Sequence, residues 1–459
     1  MELTAGDIAL ATRGELVGPA DVIATSMTID SRVLLPGAGF VALRGQRDGH
    51  DFVADAFERG ASLAVTVVPF EAPVSGATLI RVSDTMQALS DLARLTRSRL
   101  RDATVVGITG SAGKTATKDL TAAALARTRR VHASPSSFNN EAGVPLTLIG
   151  APGDVEVVVV EMGARFKGNI GDLAAIAEPQ VGVITHVGLA HAEHLGGREG
   201  IARVKGELLE ALPADGLAVL NDECDATGAL AQRTAARVIR VGRKASSDVR
   251  AADVTLDAEL RPSFVLESAW GTAPVTLAVR GEHQVENALE AAAVALELGV
   301  PLDAVVAGLA DARTATRRMD LVRTAGGVLV INDAYNSSPT SAAAAVRSLA
   351  RLDVPGRRIA VLGEMLELGA QSDAEHEAIG ALAASSGIDL LIAVGHQSDR
   401  LAAGARGGRV SVLTVADPDD ALAVVVSEVH AGDAVLVKAS RAVGLERVAE
   451  SLTDGEGAP

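Results

Sequence analysis

Cysteine, aromatic side chains and positive charge are all scarce in this 459-residue chain. Cys224 is its single cysteine, which excludes an intramolecular disulfide and a cysteine-rich zinc site. Aromatic residues make up only 2% and the formal net charge is −16. Such a chain repels a phosphate backbone and offers few rings for bases to stack on, so nucleic acid is not an expected partner. Apolar runs all fall short of the roughly 18 residues that a membrane-crossing helix needs. The opening "MELTAGDIAL" has an acid at position 2 and no long apolar core, so it does not read as a signal peptide. The expectation is a cytoplasmic protein with no membrane partner.

What is present is the composition of a globular protein, 48% hydrophobic and 22% charged. The length suits about three domains of roughly 150 residues each. Residues 1–83 read as a small α/β unit, with strand-like "FVALRG" and "ASLAVTVV" around helical "GHDFVADAFERG". "DTMQALSDLARLTRSRL" follows as an amphipathic connecting helix. Over 84–313 the apolar runs "ATVVGITG", "VEVVVVEMG", "QVGVITHVG" and "GLAVLND" alternate with helical stretches, the pattern of a parallel sheet covered on both faces. After "RTATRRMD" the alternation restarts over 314–459 with "GVLVINDAY", "RRIAVLGEM", "DLLIAVGH" and "AVLVKASR". The expected fold class is therefore α/β in three domains: a small N-terminal unit, a central mononucleotide-binding P-loop unit and a C-terminal Rossmann-like unit.

The segment "VVGITGSAGKTATKDL", residues 105–120, carries the clearest chemistry. A strand, then Gly110, Gly113, Lys114 and Thr115, then a helix, is the layout of a phosphate cradle. Backbone amides hold the phosphates, Lys114 reaches their outer oxygens and the Thr115 hydroxyl can bind Mg²⁺. The strict GxxxxGK(S/T) spacing is not met, because Ile108 stands where its first glycine belongs. The competing reading is an ordinary glycine turn capping a helix.

In open parallel sheets, ligands sit beyond the carboxyl ends of the strands. Glu161 ends "VEVVVVEMG" and His191 lies in the loop after "VGVIT", with His186 and His194 nearby. A carboxylate and an imidazole there could hold a divalent cation that neutralises charge on a transferring phosphoryl group. In "EGIARVKGELLEAL", Ile201, Val204, Leu208 and Leu212 form one apolar stripe at helical spacing, and Lys205 falls inside it. Either the long side chain snorkels to a carboxylate, or desolvation leaves a neutral amine able to form a carbamate with CO₂. "RGEHQVENALEAAAVALE" places His283 and Asn287 four residues apart at the start of a helix. An Asn amide matches an adenine edge, although helix capping explains it equally. Arg318 in "TRRMD" and Asp333 after "VLVIN" could reach phosphates and ribose across a domain cleft.

These segments, in this order, resemble the Mur ligases, the ATP-dependent amide-forming enzymes of peptidoglycan synthesis. "GITGSAGKT" matches that family's own variant of the cradle. Within the family, "SFNNEAGVPLTL", "VVVVEMGA", "ARVKGELL", "NDAYNSSP", "GEMLELGAQSDAEH" and "LVKASR" are most similar to the member that joins D-Ala-D-Ala to UDP-MurNAc-tripeptide. The resemblance spans essentially the whole chain. It implies ATP contacts from Gly110, Ser111, Ala112, Gly113, Lys114, Thr115 and Ala116, adenine contact from Asn287, and completion of the nucleotide site by Arg318 and Asp333. Thr115, Glu161, His191 and a carbamylated Lys205 would surround two Mg²⁺ ions. "IDSRVLLPGAGFVALRGQRDGHDF" resembles the family's UDP-muramoyl-peptide segment and assigns substrate contacts to Ser31, Arg32 and His50. Asn139, Asn140, Asn336, Lys438, Ser440 and Arg441 would face the substrates, and Lys114, Glu161, His191, Lys205 and Arg318 would form the catalytic set of a monomer. Two positions depart from the family pattern: Gln284 replaces an Asn, and Ala439 replaces the Gly of "KGSR". The rival readings are a sister ligase adding a single amino acid, a folate-polyglutamylating ligase, a P-loop switch ATPase and a non-catalytic UDP-sugar binder. The "IDSR…GHDF" segment argues against the folate ligase, and Lys205 with Glu161 and His191 against the switch.

Overall fold

The computed structural model describes residues 1–67, 76–189 and 192–453. It is an α/β protein built on three main sheets. The first has five strands in the spatial order Glu15–Val17, Thr78–Val82, Leu63–Val67, Gly39–Val41, Met27–Thr28, parallel except for the Glu15–Val17 edge. Helix Thr85–Arg99 follows, begun by Asp84, whose carboxylate accepts from the Met86 and Gln87 amides and so satisfies two donors that the helix leaves open. Its apolar side buries Ala88, Leu89, Leu92 and Ala93 in a core that runs on to Val105 and Val158. The first and second sheets thus share packing through this helix.

The second sheet has nine strands, ordered Gly271–Thr276, Pro262–Ser268, Val249–Leu256, Arg237–Gly242, Leu217–Asn221, Val181–Ile184, Thr104–Thr109, Val157–Glu161, Val131–Ala133. Pairing is parallel from Val249–Leu256 to the Val131–Ala133 edge, as the continuous apolar runs predict. The Pro262–Ser268 and Gly271–Thr276 strands extend it antiparallel. That extension departs from the expectation of uniform strand–helix alternation: residues 249–276 alternate buried with half-buried or exposed positions, the pattern of a sheet edge with one wet face. One face carries helix Gly197–Glu210 and the other carries Lys114–Leu125 and Gln284–Glu297.

The third sheet runs Asp320–Arg323, Leu329–Asn332, Ala434–Lys438, Arg358–Leu362, Leu390–Val394, Ser411–Val415, parallel apart from its first strand. Among the described residues no helix is long and apolar enough to cross a membrane. In the second sheet the chain leaves Thr104–Thr109 towards the Val131–Ala133 edge and resumes at Val181–Ile184 on the opposite side. A crevice therefore opens at the carboxyl ends of these neighbours.

Candidate active site

The cradle forms where strand Thr104–Thr109 gives way to helix Lys114–Leu125. Gly110 has φ +155° and Gly113 φ +86°, both costly for other residues. A Cβ on Gly110 would stand 2.0 Å from the Thr185 hydroxyl, and one on Gly113 2.5 Å from Asn287 Oδ1. The loop is braced from the segment that follows the neighbouring strand Val181–Ile184: the Ser111 amide donates to the His186 carbonyl at 2.8 Å, and its hydroxyl to the Gly188 carbonyl at 2.8 Å. Lys114 Nζ folds back to donate to the Gly110 carbonyl at 2.7 Å. Burial holds its pKa below the usual lysine value, partly countered by Glu161. A helix N-terminus carrying a half-buried lysine is a site for an anion.

Glu161, at the end of its strand, is buried. Its Oε2 accepts from the Thr115 hydroxyl at 2.8 Å and its Oε1 from Asn139 Nδ2 at 2.7 Å. Arg318 Nη2 reaches in from the third-sheet side, donating to Thr115 Oγ1 at 3.0 Å and Ser137 Oγ at 3.4 Å. Its guanidinium carbon lies 4.3 Å from the centre of the Tyr335 ring, and its buried Nε has no partner among the described residues. That orphan donor and the Lys114 ammonium suit a polyanion. The Thr115 hydroxyl and Glu161 carboxylate are hard oxygen donors of the kind Mg²⁺ takes. Among the described residues no three His, Cys, Asp or Glu side chains converge, so a cation here would complete its shell with ligand oxygens and water. His191 lies outside the described residues.

Lys205 sits in helix Gly197–Glu210 with Ile201, Val204 and Leu208, all buried as the stripe predicts. No carboxylate among the described residues pairs with its ammonium. Glu207, two residues on, instead caps the amides of Gly168 and Gly171 at 2.8 and 3.0 Å. Burial, helped by the Lys114 charge, lowers the Lys205 pKa to about 7, so near neutrality a large share is free amine. The structure brings Lys114, Thr115, Glu161 and Arg318 together, with Lys205 near enough to feel the charges of Lys114 and Glu161.

Lys114, Thr115, Glu161 and Arg318 line one cavity of about 1510 Å³ between the second and third sheets, and Lys205 lies behind its wall. Asn287 lines it, with its Nδ2 donating to Gln284 Oε1 at 2.8 Å. The departure at Gln284 thus orients the candidate adenine contact. From the third sheet, Lys438 Nζ pairs with Asp333 Oδ2 at 2.6 Å and donates to the Asn336 carbonyl at 2.9 Å. Ser440 Oγ accepts from the Leu366 amide at 2.9 Å, Arg441 lies 5.4 Å from the Tyr335 ring centre, and Ala439 is fully buried. Asn140 also lines the cavity, and its Oδ1 accepts the Gly143 amide at 2.9 Å.

Ser31, Arg32 and His50 do not line this cavity. Ser31 is buried, and Arg32 is an exposed side chain doubly bonded to Asp30 at 2.9 and 2.6 Å. His50 Nε2 accepts the Val67 amide at 2.9 Å, which places the ring proton on Nδ1, 2.6 Å from Asp48 Oδ1. Sequence reasoning passed over Lys118, whose Nζ donates to the Ser134 and Ser136 carbonyls at 2.7 and 2.9 Å and anchors the loop that carries Ser137 and Asn139. It also passed over Tyr335, the only tyrosine in the chain, and the buried Glu290. The position of Tyr335 in "NDAYNSSP", beside Asp333, was the available signal.

A three-sheet α/β chain with a glycine-loop cradle facing basic side chains across a cleft is built like a nucleotide-dependent ligase. Family descriptions match along the chain: "Mur ligase family, catalytic domain" over residues 24–97, "Mur ligase middle domain" over 108–295 and "Mur ligase, glutamate ligase domain" over 317–441. The UDP-N-acetylmuramoyl-tripeptide–D-alanyl-D-alanine ligase of Mycobacterium tuberculosis is 41% identical, with 98% of each chain covered. Among solved structures, MurF from Acinetobacter baumannii superposes with a TM-score of 0.88 at 30% identity and 99% coverage of both chains. MurF ligase from Thermotoga maritima, solved in complex with ADP, gives 0.78 at 29% identity, covering 93% of this chain and 96% of that one. The chain belongs to the Mur ligase family.

Proposed function

We propose that this protein is an ATP-dependent ligase that joins D-Ala-D-Ala to UDP-MurNAc-tripeptide, releasing ADP and phosphate. The observation that carries the reading is the meeting of Lys114, Thr115 and Glu161 with Arg318 across one cleft, in a chain similar over its whole length to ligases of that name. Residues 1–83 hold the UDP-sugar, 84–313 the nucleotide and the reacting carboxylate, and 314–459 the incoming dipeptide.

A free carboxylate is a poor acyl donor, because its leaving group would be oxide. The peptide carboxylate therefore attacks the γ-phosphorus, the bond to ADP breaks, and an acyl phosphate forms. Lys114 and Arg318 offset charge on the transferring group, work that is mostly positioning and electrostatics. The dipeptide amine then adds to the acyl carbon, loses a proton, and the tetrahedral adduct expels phosphate. Thr115 and Glu161 would hold Mg²⁺, which when bound neutralises phosphate charge. A carbamate on Lys205 would add an anionic oxygen beside Lys114, consistent with an amine that is partly neutral near pH 7. Asn287 faces the base, Asp333 the ribose, and Asn139, Asn140, Asn336, Lys438, Ser440 and Arg441 border the space for the substrates, while Ser31, Arg32 and His50 serve the UDP-sugar.

The test is phosphate release from ATP with Mg²⁺ and UDP-MurNAc-tripeptide, comparing D-Ala-D-Ala with single amino acids. Release that requires D-Ala-D-Ala supports the reading. Release with a single amino acid points to a sister ligase, and release without an amine acceptor points to a switch ATPase.

A further inference from the structure

Glu290 is fully buried, and the reaction above gives it no task. It stands on helix Gln284–Glu297, three residues past Asn287. Facing it is the cradle helix Lys114–Leu125, whose Thr117 hydroxyl lies 2.8 Å from Glu290 Oε2. Asn221, the last residue of strand Leu217–Asn221 and part of the cavity wall, brings its Nδ2 to 3.5 Å from Oε1. One helix therefore touches the cradle at two levels, Asn287 against Gly113 and Glu290 against Thr117, about one helical turn further in.

Among the described residues no cation partners this carboxyl. The cradle helix presents Thr117 and strand Leu217–Asn221 presents Asn221, both uncharged. Lys118 of the cradle helix is turned to the Ser134 and Ser136 carbonyls and to Asp119. On its own helix the facing charge is Glu286, which pairs with Arg243 at 2.8 Å. A buried carboxyl whose hydrogen-bond partners are neutral favours its protonated form, and burial, reinforced by Glu286, raises the Glu290 pKa to about 8. Ionisation would leave a charge in the seam between the two helices, with no counter-ion among the described residues to hold it.

We propose that neutral Glu290 is a positioning residue that locks the phosphate cradle against the base-facing helix, and that its ionisation loosens nucleotide binding. The inference rests on the reading that the cradle binds ATP. It is tested by calorimetric titration of the intact protein with Mg-ATP between pH 7 and 9, together with KM for ATP and kcat. Wild-type affinity falls roughly threefold to tenfold over that range. E290Q, an isostere of the neutral acid, keeps its pH 7 affinity at pH 9. E290A binds more weakly at every pH, with the change in KM for ATP rather than in kcat, and melting curves at pH 7 confirm that each variant is folded. The same alkaline loss in E290Q as in wild type, or wild-type binding by E290A, overturns the proposal. Wild-type protein that binds no ATP at any pH overturns it together with the nucleotide reading. ATP binding without D-Ala-D-Ala-dependent phosphate release would sink the ligase assignment alone.

Discussion

The central sheet buries Lys205 on one face and Glu290 on the other, and it uses them differently. On one face Lys205 sits among Ile201, Val204 and Leu208; on the other Glu290 sits among Val285, Leu289 and Leu120. Desolvation is the largest influence on both and drives each towards neutrality, the amine down to about 7 and the carboxyl up to about 8. Their neighbours separate them. Lys205 feels the charges of Lys114, Glu161 and Glu207 beside the cradle, whereas Glu290 meets the uncharged Thr117 and Asn221 beneath it. Burial sets the charge state; the surrounding groups decide whether the side chain serves chemistry or packing.

The largest expected effects break the comparison on the chemical side. Lys114→Ala and Lys205→Ala should each lower kcat about 10²–10³-fold, the loss seen when one group stabilising developing charge is removed. Lys114→Ala should lower the melting temperature little, because its ammonium makes no ion pair among the described residues, whereas Lys205→Ala leaves a buried cavity and should lower it further. Steady-state rates with and without added bicarbonate check the carbamate: wild type should respond and Lys205→Ala should not. Next comes Gly110→Ala, which places a Cβ 2.0 Å from Thr185 Oγ1 at φ +155°. It should weaken ATP binding and cost on the order of 2 kcal/mol in urea unfolding.

The comparison is sharpened by stability against pH. A lysine with a lowered folded pKa penalises the fold fully below about 7, and the penalty fades as pH approaches the unfolded value of 10.5. A carboxyl with a raised folded pKa costs nothing below the unfolded value of 4.5 and reaches its full penalty above about 8. Lys205→Met should therefore stabilise most in acid and Glu290→Gln most in base, each by on the order of 2 kcal/mol, giving mirror-image profiles in denaturant titrations. The smallest effect belongs to the first sheet: Arg32→Ala removes an exposed pair worth about 0–1 kcal/mol. It should leave stability unchanged and raise KM for the UDP-sugar substrate, and an unaltered KM would remove Arg32 from the substrate site.

Much of this was legible because it is local. The strand, the glycines and the Lys-Thr pair of residues 105–115 are contiguous, and Lys205 betrays itself within one helical stripe. The strand-end position of Glu161 follows from the apolar run before it. What was not legible depends on pairings distant in sequence. Glu290 meets Thr117 across 173 residues and Asn221 across 69, and nothing in "NALEAAA" announces either. The antiparallel strands of 262–276 were hidden because an edge with one wet face lacks a continuous apolar run. The motif assigns His50 to the UDP-sugar, and its bonds to Asp48 and to the Val67 amide of another strand are not readable from that motif.

The most direct test of the central claim follows oxygen through the reaction. UDP-MurNAc-tripeptide labelled with ¹⁸O in its terminal carboxylate is turned over with ATP, Mg²⁺ and D-Ala-D-Ala, and the released phosphate is weighed. Because the carboxylate oxygen that attacks phosphorus leaves with it, the account predicts one ¹⁸O in each phosphate and a pentapeptide product. Unlabelled phosphate, with its new oxygen drawn from water, would contradict it.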